Sequence, residues 1–161
     1  MPQGIRSFAF AVLRVGINLL GMTASDPRPV LLFDGECGLC HRVVRLLLRL
    51  DQRGVVRFAP LQGPAGQACL RAHGLPMEDF STLVFVPDWP GDAEKLLLRT
   101  DGVMAALRVV GRPGLAALLA VVPRGLRDAG YKFVARVRHR IFGPWQARPL
   151  PRLEWAARFM D

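Results

Sequence analysis

The 161-residue sequence predicts an α/β fold in which a central four-stranded mixed sheet is flanked by helices, with extra helices toward the C-terminus. Three observations support this class. Short apolar runs that suit strands alternate with longer segments of helical periodicity. Glycine and proline, the usual turn residues, separate many of these segments. The length and a hydrophobic content of 51% suit a single domain with its own core.

The first half of the chain predicts the order strand, helix, strand, helix. A continuous apolar run at 30–33 is typical of a strand that is buried on both faces of a sheet. Asp34 and Gly35 then turn the chain. From Cys40 onward, valine and leucine alternate with arginine at helical spacing until Gly54 ends the helix. The later elements are a strand, a weak helix, two hairpin strands and three helices, at 55–59, 63–73, 82–86, 95–99, 101–110, 113–122 and 123–142.

Turn and capping residues set the limits of these later elements. Residues 87–93 are rich in turn formers and connect the two hairpin strands. Asp101 is expected to cap the first of the three helices, and Pro113 and Pro123 to open the other two. Gly143 and the proline after it end the last helix.

The two termini differ from this core in composition. Residues 1–28 predict an apolar helical extension and a proline-containing linker. The part at 1–24 is short and charged for a membrane span and weakly basic for a signal peptide, so we expect it to contact a membrane surface or a partner chain. Residues 145–161 predict an irregular, proline-rich tail. The α/β domain is therefore expected at 29–144.

Net charge and cysteine content bear on partners and compartment. The formal charge is +9, and Lys95 and Lys132 are the only lysines. A basic chain can bind nucleic acid, but no nucleic-acid motif accompanies the charge, so we expect solvated arginines and no such partner. Three cysteines are too few and too odd in number for a secreted disulfide framework. A cytoplasmic setting is expected, where a Cys-x-x-Cys pair is usually catalytic or metal-binding.

The strongest motif is Cys37-Gly38-Leu39-Cys40, at the junction of the first strand and the first helix. Thiol–disulfide exchange needs an attacking thiolate and a second thiol that resolves the mixed disulfide. At a helix start, free backbone N–H groups and the helix dipole stabilise a thiolate. We therefore expect Cys37 to be the nucleophile and Cys40, the more buried of the two, to be the resolving thiol. Gly38 and Leu39 set the turn between them.

The order β-α-β-α-β-β-α, with this motif at the first strand-to-helix junction, is that of the thioredoxin fold. Asp34 lies beside the motif and has two open roles, as a proton carrier for Cys40 or as a turn residue that binds local backbone. Thioredoxins place a cis proline opposite the cysteine pair, and here Ser81 takes that position. Substrate docking is therefore expected to differ, and metal access to the sulfurs to be easier.

The run Phe33-Asp-Gly-Glu-Cys37-Gly-Leu-Cys40 resembles the signature of the DCC family of thiol-disulfide oxidoreductases, named for that Asp, Cys and Cys. The resemblance continues through Arg99-Thr-Asp-Gly and through 123–143, although the tail lacks a cysteine that many members carry. It implies a thioredoxin-like fold and a disulfide oxidoreductase activity. We expect Cys37 and Cys40 to exchange disulfides with protein or small thiol substrates without a cofactor. Arg138 is expected to support the site and to pair with a carboxylate such as Asp101 or Asp128.

Three other readings are open at this point. A metal-binding module could hold zinc through Cys37, Cys40, Cys69 and His73, a Cys₃His set with suitable local spacings. The run Cys-x-x-Cys-His41 also matches a c-type haem attachment motif, although that chemistry requires export. A phosphatase-type aspartate nucleophile after the strand is disfavoured, because a glutamate occupies the next acidic position. Disulfide exchange without a metal remains the expectation.

Overall fold

The structure is a computed structural model that describes residues 28–78, 80, 82–89, 95–145 and 152–160. The apolar extension expected at the N-terminus therefore lies almost wholly outside the described residues. The strands of the described part are β1 (Arg28–Phe33), β2 (Arg57–Pro60), β3 (Val84–Trp89) and β4 (Leu97–Leu98). Its helices are α1 (Gly38–Leu50), α2 (Pro64–Ala72), α3 (Arg99–Val109), α4 (Pro113–Val121), α5 (Arg124–Phe142) and a 3₁₀ helix (Leu153–Arg158).

The strands form one mixed sheet in the order β2-β1-β3-β4. β1 pairs with β2 in parallel, with Leu31 opposite Phe58, because the α1 crossover returns the chain to the same end of the sheet. β1 pairs with β3 in the antiparallel sense, with Leu31 opposite Phe85, and β3 pairs with β4 likewise. This topology and the order βαβαββα confirm the predicted thioredoxin-like α/β fold.

Side chains of β1 alternate between two separate cores, one on each face of the sheet. Leu31 and Phe33 pack with residues of α1 and α3 on one face. Val30 and Leu32 pack with residues of α2 on the other. The prediction of a strand buried on both faces is therefore confirmed, and the end of β1 is held rigidly from both sides.

The hairpin differs from the sequence prediction at its first strand. β3 continues through Trp89, into the stretch 87–93 that the turn residues were expected to fill. The ladder between β1 and β3 shifts register between Arg28 and Val30, which lets the strand continue past Pro87 although that residue has no N–H to donate. A proline at a bulge is compatible with a strand, so composition alone placed the strand end too early.

The returning strand is also shorter than the expected run at 95–99. β4 contains two residues, and α3 begins at Arg99, so Asp101 lies in its first turn and does not cap it. The N–H of Arg99 binds the carbonyl oxygen of Leu83 at 3.1 Å, and its positive φ of 53° turns the chain directly into the helix. Sequence periodicity cannot detect such a left-handed turn at a non-glycine residue.

The tail is not irregular at 152–160, and that prediction is wrong there. Trp155 of the 3₁₀ helix is buried in the core that α1 and α3 share. Arg158 forms a salt bridge with the buried Asp51 at the end of α1. The N–H of Met160 binds the carbonyl oxygen of Phe58 at 2.8 Å. One aromatic anchor and one buried ion pair thus order a segment whose prolines suggested a loose tail.

Candidate active site

Cys37 lies between the end of β1 and the start of α1, where the sequence places it. Its φ and ψ of −92° and 118° are those of a helix N-cap, and α1 begins at the next residue, Gly38. The N–H of Cys40 points at Cys37 Sγ, with a nitrogen–sulfur distance of 3.5 Å. The sulfur thus occupies the acceptor position of an N-cap side chain, at the positive end of the helix dipole.

The two thiols differ in exposure and in acidity. Cys37 is 0% exposed, whereas Cys40 is half-buried, so the expectation that Cys40 would be the more buried is wrong. Burial of the Cys40 sulfur, then the charge and hydrogen bond of Cys37, raise the pKa of Cys40 to about 12. At neutral pH Cys40 is therefore a thiol that donates toward Cys37 sulfur.

A short segment after α5, residues 143–145, covers Cys37; we call it the strap. Cys37 and Pro144 lie opposite each other in an antiparallel bridge. The N–H of Gly38 donates to the first carbonyl of the strap at 3.3 Å, and the last N–H of the strap donates to the carbonyl of Glu36 at 2.8 Å. This pairing, absent from the sequence-based expectation, places the strap against the buried cysteine at the N-cap.

His41 supports the strap from α1. Its ring stacks on the indole of Trp145, with 4.0 Å between centroids and 10° between planes. Its Nε2–H donates to the carbonyl of Gly35 at 2.8 Å, and burial lowers the pKa of His41, so the ring is neutral at physiological pH. His41 is thus a packed residue of the first helical turn. The nitrogen that a haem iron would need already binds backbone.

Asp34 is buried beside the cysteine pair, and both of its carboxylate oxygens have polar partners. Its Oδ2 forms a 2.8 Å salt bridge with Arg138, which is also buried. Its Oδ1 accepts the backbone N–H of Glu36 at 3.0 Å and the side-chain amide of Gln62 at 2.8 Å. The backbone contact is the predicted turn role, whereas the other two contacts join Asp34 to α5 and to the end of β2.

Arg138 is the buried residue of α5, and it pairs with a carboxylate as expected, although with Asp34 and not with the two that were named. Its guanidinium donates to Asp34, to the carbonyl of Phe80 and, at 3.7 Å, to Cys40 Sγ. Asp101 pairs with Arg124 at the other end of α5, and Asp128 accepts from Thr100. The C-terminal part of α5 crosses the end of β1. The position of Arg138 along this helix therefore places it beside Asp34 and away from Asp101 and Asp128.

The remaining predicted site residues contribute less to the contacts around the cysteine pair. The N–H of Gly35 donates to Gln62 Oε1 at 2.9 Å, which ties the turn to the loop after β2. Gly38 lies against the strap, and Leu39 is half-buried. Ser81 lies outside the described residues, although its neighbour Phe80 contacts the site through its carbonyl.

The proposed zinc set is not assembled. Cys37 and Cys40 lie where β1 meets α1, while Cys69 belongs to the core on the opposite face of the sheet. Burial raises the pKa of Cys69, and His73 Nδ1 donates to the carbonyl of Cys69 at 2.6 Å. Helix α2 thus holds its cysteine and histidine away from the other pair, which excludes tetrahedral coordination by these four residues.

A different group of potential ligands lies close together. One ligand atom each of Asp34, Cys37 and His139 lies within 4.8 Å of the others. Arg138 donates to Asp34 Oδ2 at 2.8 Å, so a metal cation beside this carboxylate would meet a buried guanidinium. The charge of Arg138 therefore opposes a metal at this position.

Sequence reasoning missed Gln62 and the strap. Gln62 is 28 residues from Asp34, and an exposed glutamine in a loop carries no signal of its own. The strap has a weak signal in the glycine, proline and tryptophan that follow α5, but nothing in it points to Cys37. Both contacts arise only when β2 and α5 pack beside β1.

Comparison with known proteins agrees with this geometry. The family model described as DCC1-like thiol-disulfide oxidoreductase matches residues 31–144. The uncharacterized protein YuxK of Bacillus subtilis is 33% identical over 134 residues, 83% of this chain and 95% of that protein. A chloroplastic DCC family protein of Arabidopsis thaliana is 32% identical over 120 residues, 73% of this chain and 67% of the relative. No solved structure gives a significant match. The chain therefore belongs to the DCC1-like thiol-disulfide oxidoreductase family.

Proposed function

We propose that the protein catalyses thiol–disulfide exchange through Cys37 and Cys40 and needs no cofactor. The observation that supports this most directly is the asymmetry of the pair. Cys37 Sγ receives a backbone N–H at the start of α1, while the raised pKa keeps Cys40 protonated next to it. The Cys37 sulfur is thus placed to attack as a thiolate, and the Cys40 sulfur stays a thiol until the second step.

The exchange takes two steps. The Cys37 thiolate attacks one sulfur of a substrate disulfide, so a mixed disulfide forms while the substrate S–S bond breaks and its other sulfur leaves as a thiolate that takes a proton. Cys40 then loses its proton and attacks the Cys37 sulfur. The Cys37–Cys40 disulfide forms, the second substrate thiol leaves, and two electrons have passed to the substrate. The reverse sequence oxidises a dithiol substrate.

Asp34 and Arg138 act as positioning residues in the second step. The guanidinium of Arg138, 3.7 Å from Cys40 Sγ, stabilises the thiolate that Cys40 must form. Asp34 holds that guanidinium in place and closes the turn through the N–H of Glu36. The remaining proposed supporting residues shape the turn or the substrate side of the site: Gly35, Gly38, Leu39 and Ser81.

A trapping experiment tests the proposal. Cys40→Ser incubated with oxidised glutathione should accumulate a mixed disulfide at Cys37, because the resolving thiol is gone. Intact-mass measurement and alkylation mapping would locate it. Cys69→Ser is the matched control and should cycle between reduced and Cys37–Cys40 disulfide forms as the unmodified protein does.

Two outcomes would count against the proposal. A Cys37–Cys40 pair that never forms a disulfide under graded glutathione ratios would remove the redox role. Tightly bound metal in the protein as purified, lost in Cys37→Ser, would instead favour a metal-binding module.

Three expectations about the setting stay predictions. A cytoplasmic location fits the small number of cysteines, and no nucleic-acid partner is expected. Contact of residues 1–24 with a membrane surface or partner chain falls outside the described residues. Among the described helices, none combines the length and apolarity that crossing a bilayer requires.

A further inference from the structure

The pairing between the strap and the start of α1 has a specific geometry. The two backbone hydrogen bonds, from Gly38 and from Trp145, lie on either side of Cys37 and Pro144. These two residues therefore form a non-hydrogen-bonded antiparallel pair, in which Cα atoms lie about 4.5 Å apart and side chains are closest. A disulfide joins residues whose Cα atoms are about 4.4–6.8 Å apart. The position of Pro144 is thus within disulfide range of Cys37.

The strap lies opposite Cys37 and is one of the groups around it, together with Asp34 and His139, whose ligand atoms lie within 4.8 Å of Cys37 Sγ. Cys37 is 0% exposed, yet a substrate sulfur must approach its Sγ. Departure of the strap would leave the carbonyl of Glu36 and the N–H of Gly38 without their backbone partners, which is unfavourable for groups in a partly buried site. A substrate that supplies the same two backbone groups would offset this loss, and a small thiol would not.

We propose that residues 36–38 are a docking strip for an extended polypeptide substrate, which replaces the strap and places its own cysteine opposite Cys37, where Pro144 lies in the free protein. This inference rests on the proposed function and names its substrate class. Binding is a short β-strand addition, in which main-chain hydrogen bonds hold the partner and side-chain contacts select it. Proline suits the resting position because it has no sulfur and no N–H to satisfy.

The strap also indicates which side chain a substrate should carry. Trp145 follows Pro144 and stacks on His41, with Arg45 5.2 Å from the centre of its indole ring. A substrate residue directly after the reactive cysteine would take this place. An aromatic residue there should bind best, since it restores contacts with the imidazole and the guanidinium.

The chemical step that follows docking is the first half of the exchange described above. Cys37 sulfur attacks the substrate cysteine within its disulfide, a Cys37–substrate bond forms, and the sulfur bonded to that cysteine leaves as a thiolate. No further oxidant or reductant is required. The docking strip contributes only the alignment of the two sulfurs.

The first test asks whether the position of Pro144 is a disulfide position. In a Cys40→Ser, Cys69→Ser background, Pro144→Cys should form a disulfide with Cys37 when oxidised glutathione accepts the two electrons and becomes two thiols. Trp145→Cys is the matched control, because neighbouring strand residues point to opposite sides. We expect bridging at least about tenfold faster for Pro144→Cys than for Trp145→Cys. Equal rates, or no bridge, would overturn the proposed register.

The second test uses peptides and leaves Pro144 in place. In the same background, Cys37 is reacted with the symmetric disulfide of a Gly-Cys-Trp peptide, with that of a Gly-Cys-Ala peptide, each of which releases one peptide thiol, and with oxidised glutathione. Trp145→Ala should speed reaction with the peptides about tenfold by loosening the strap, and the tryptophan peptide should react faster than the alanine peptide. Trp89→Ala, a tryptophan change at the far end of the sheet, should change nothing.

The outcomes separate the two proposals. If Cys37 exchanges with oxidised glutathione but shows no peptide preference and no response to Trp145→Ala, the docking strip is wrong and the oxidoreductase proposal stands. If Cys37 exchanges with none of the disulfides even in Trp145→Ala, the proposed function fails as well.

Discussion

In the proposed mechanism, Cys40 and Arg138 decide how fast the second step of exchange can run. The pKa of Cys40 is raised to about 12, mainly by burial and by Cys37, and Arg138 is the cation that acts in the opposite direction. Because the folded pKa exceeds the ordinary value of 9.0, folded protein holds this proton more tightly than unfolded protein does. The Cys40 contribution to stability is therefore present below pH 9.0 and is lost as pH rises toward about 12.

Replacing Arg138 with a neutral residue should slow resolution. Arg138→Met removes the cation near Cys40 Sγ, so the pKa of Cys40 should rise further and its pH–rate profile should shift to higher pH. In a Cys69→Ser background, DTNB releases one chromophore on attack by Cys37 and a second on resolution by Cys40. We expect the second phase to slow about tenfold at neutral pH, with the first phase little changed.

Two variants check that this effect is not misfolding. Arg138→Met leaves Asp34 as an unpaired buried charge, whereas Asp34→Asn with Arg138→Met removes both charges and should recover much of the lost stability. The slow second phase should persist in the double variant. Asp34→Asn alone should also slow exchange at neutral pH. Unchanged second phases in all three variants would leave Asp34 and Arg138 with only a structural role.

The sequence predicted the local part of this site and not its distant part. The cysteine pair, the turn at Asp34 and the helix start are neighbours in the chain, so motif and spacing suffice. Arg138 lies 104 residues from Asp34, and its contact depends on how α5 crosses the end of β1. The strap likewise lies against Cys37, and no local pattern connects it to the motif.

Helix α2 packs on the sheet through one close contact with the backbone. A Cβ at Gly66 would lie 2.4 Å from the carbonyl oxygen of Pro60 and 2.6 Å from Leu61 Cα, both backbone atoms that cannot move alone. This contact fixes the loop after β2, which also carries Gln62 to Asp34. The packing of α2 thus helps to position Gln62 at the candidate active site, although Cys69 of α2 lies outside that site.

Gly66→Ala should therefore destabilise the fold. Overpacking against backbone costs about 1–3 kcal/mol, which denaturant unfolding followed by circular dichroism would detect. Gly130→Ala is the matched control, since a Cβ there has nothing within 4 Å. That change should be neutral or stabilise by up to about 1 kcal/mol through helix propensity. Equal effects of the two changes would show that α2 can shift freely.

The limits of most helices follow from the sequence, whereas the limits of the paired strands do not. Periodicity, proline and glycine placed α4 and α5 to within a residue or two, because those signals act within the helix itself. The ends of β3 and β4 depend on pairing with the neighbouring strands, and the ladder between β1 and β3 has a register shift beside Pro87. Pairing partners are distant in sequence, so composition alone misplaced these ends.

The C-terminal segment is joined to the domain by charge as well as by burial. Arg158 forms a salt bridge with Asp51, which is distant in sequence and whose side chain is 1% exposed. Asp51 also accepts the N–H of Val56 at 2.9 Å, and Trp155 fills the adjoining core. The loop between α1 and β2 and the 3₁₀ helix therefore stabilise one another.

Removing one partner of the Asp51–Arg158 pair should lower the free energy of unfolding much more than removing both charges does. Arg158→Met leaves a buried carboxylate without its cation, and we expect a loss of about 3–5 kcal/mol in the free energy of unfolding. Asp51→Asn combined with Arg158→Met should recover most of it. Chemical denaturation of the four proteins of this cycle measures the coupling.

A surface pair in the same segment gives the control. Arg152 and Glu154 are 3.4 Å apart and well exposed, so Glu154→Gln should change stability by less than about 1 kcal/mol. An Arg158→Met effect of that small size would mean that the tail does not depend on the buried pair.

The stacking of Trp145 on His41 gives the protein an optical signal of its own state. Indole emission depends on its surroundings, and in the proposed docking Trp145 passes from a stack to solvent when the strap opens. The other two tryptophans, Trp89 and Trp155, are joined to the sheet and the core and supply a constant background. Intrinsic fluorescence should therefore follow each binding and release event in real time, with no added label and no chemical modification of the thiols.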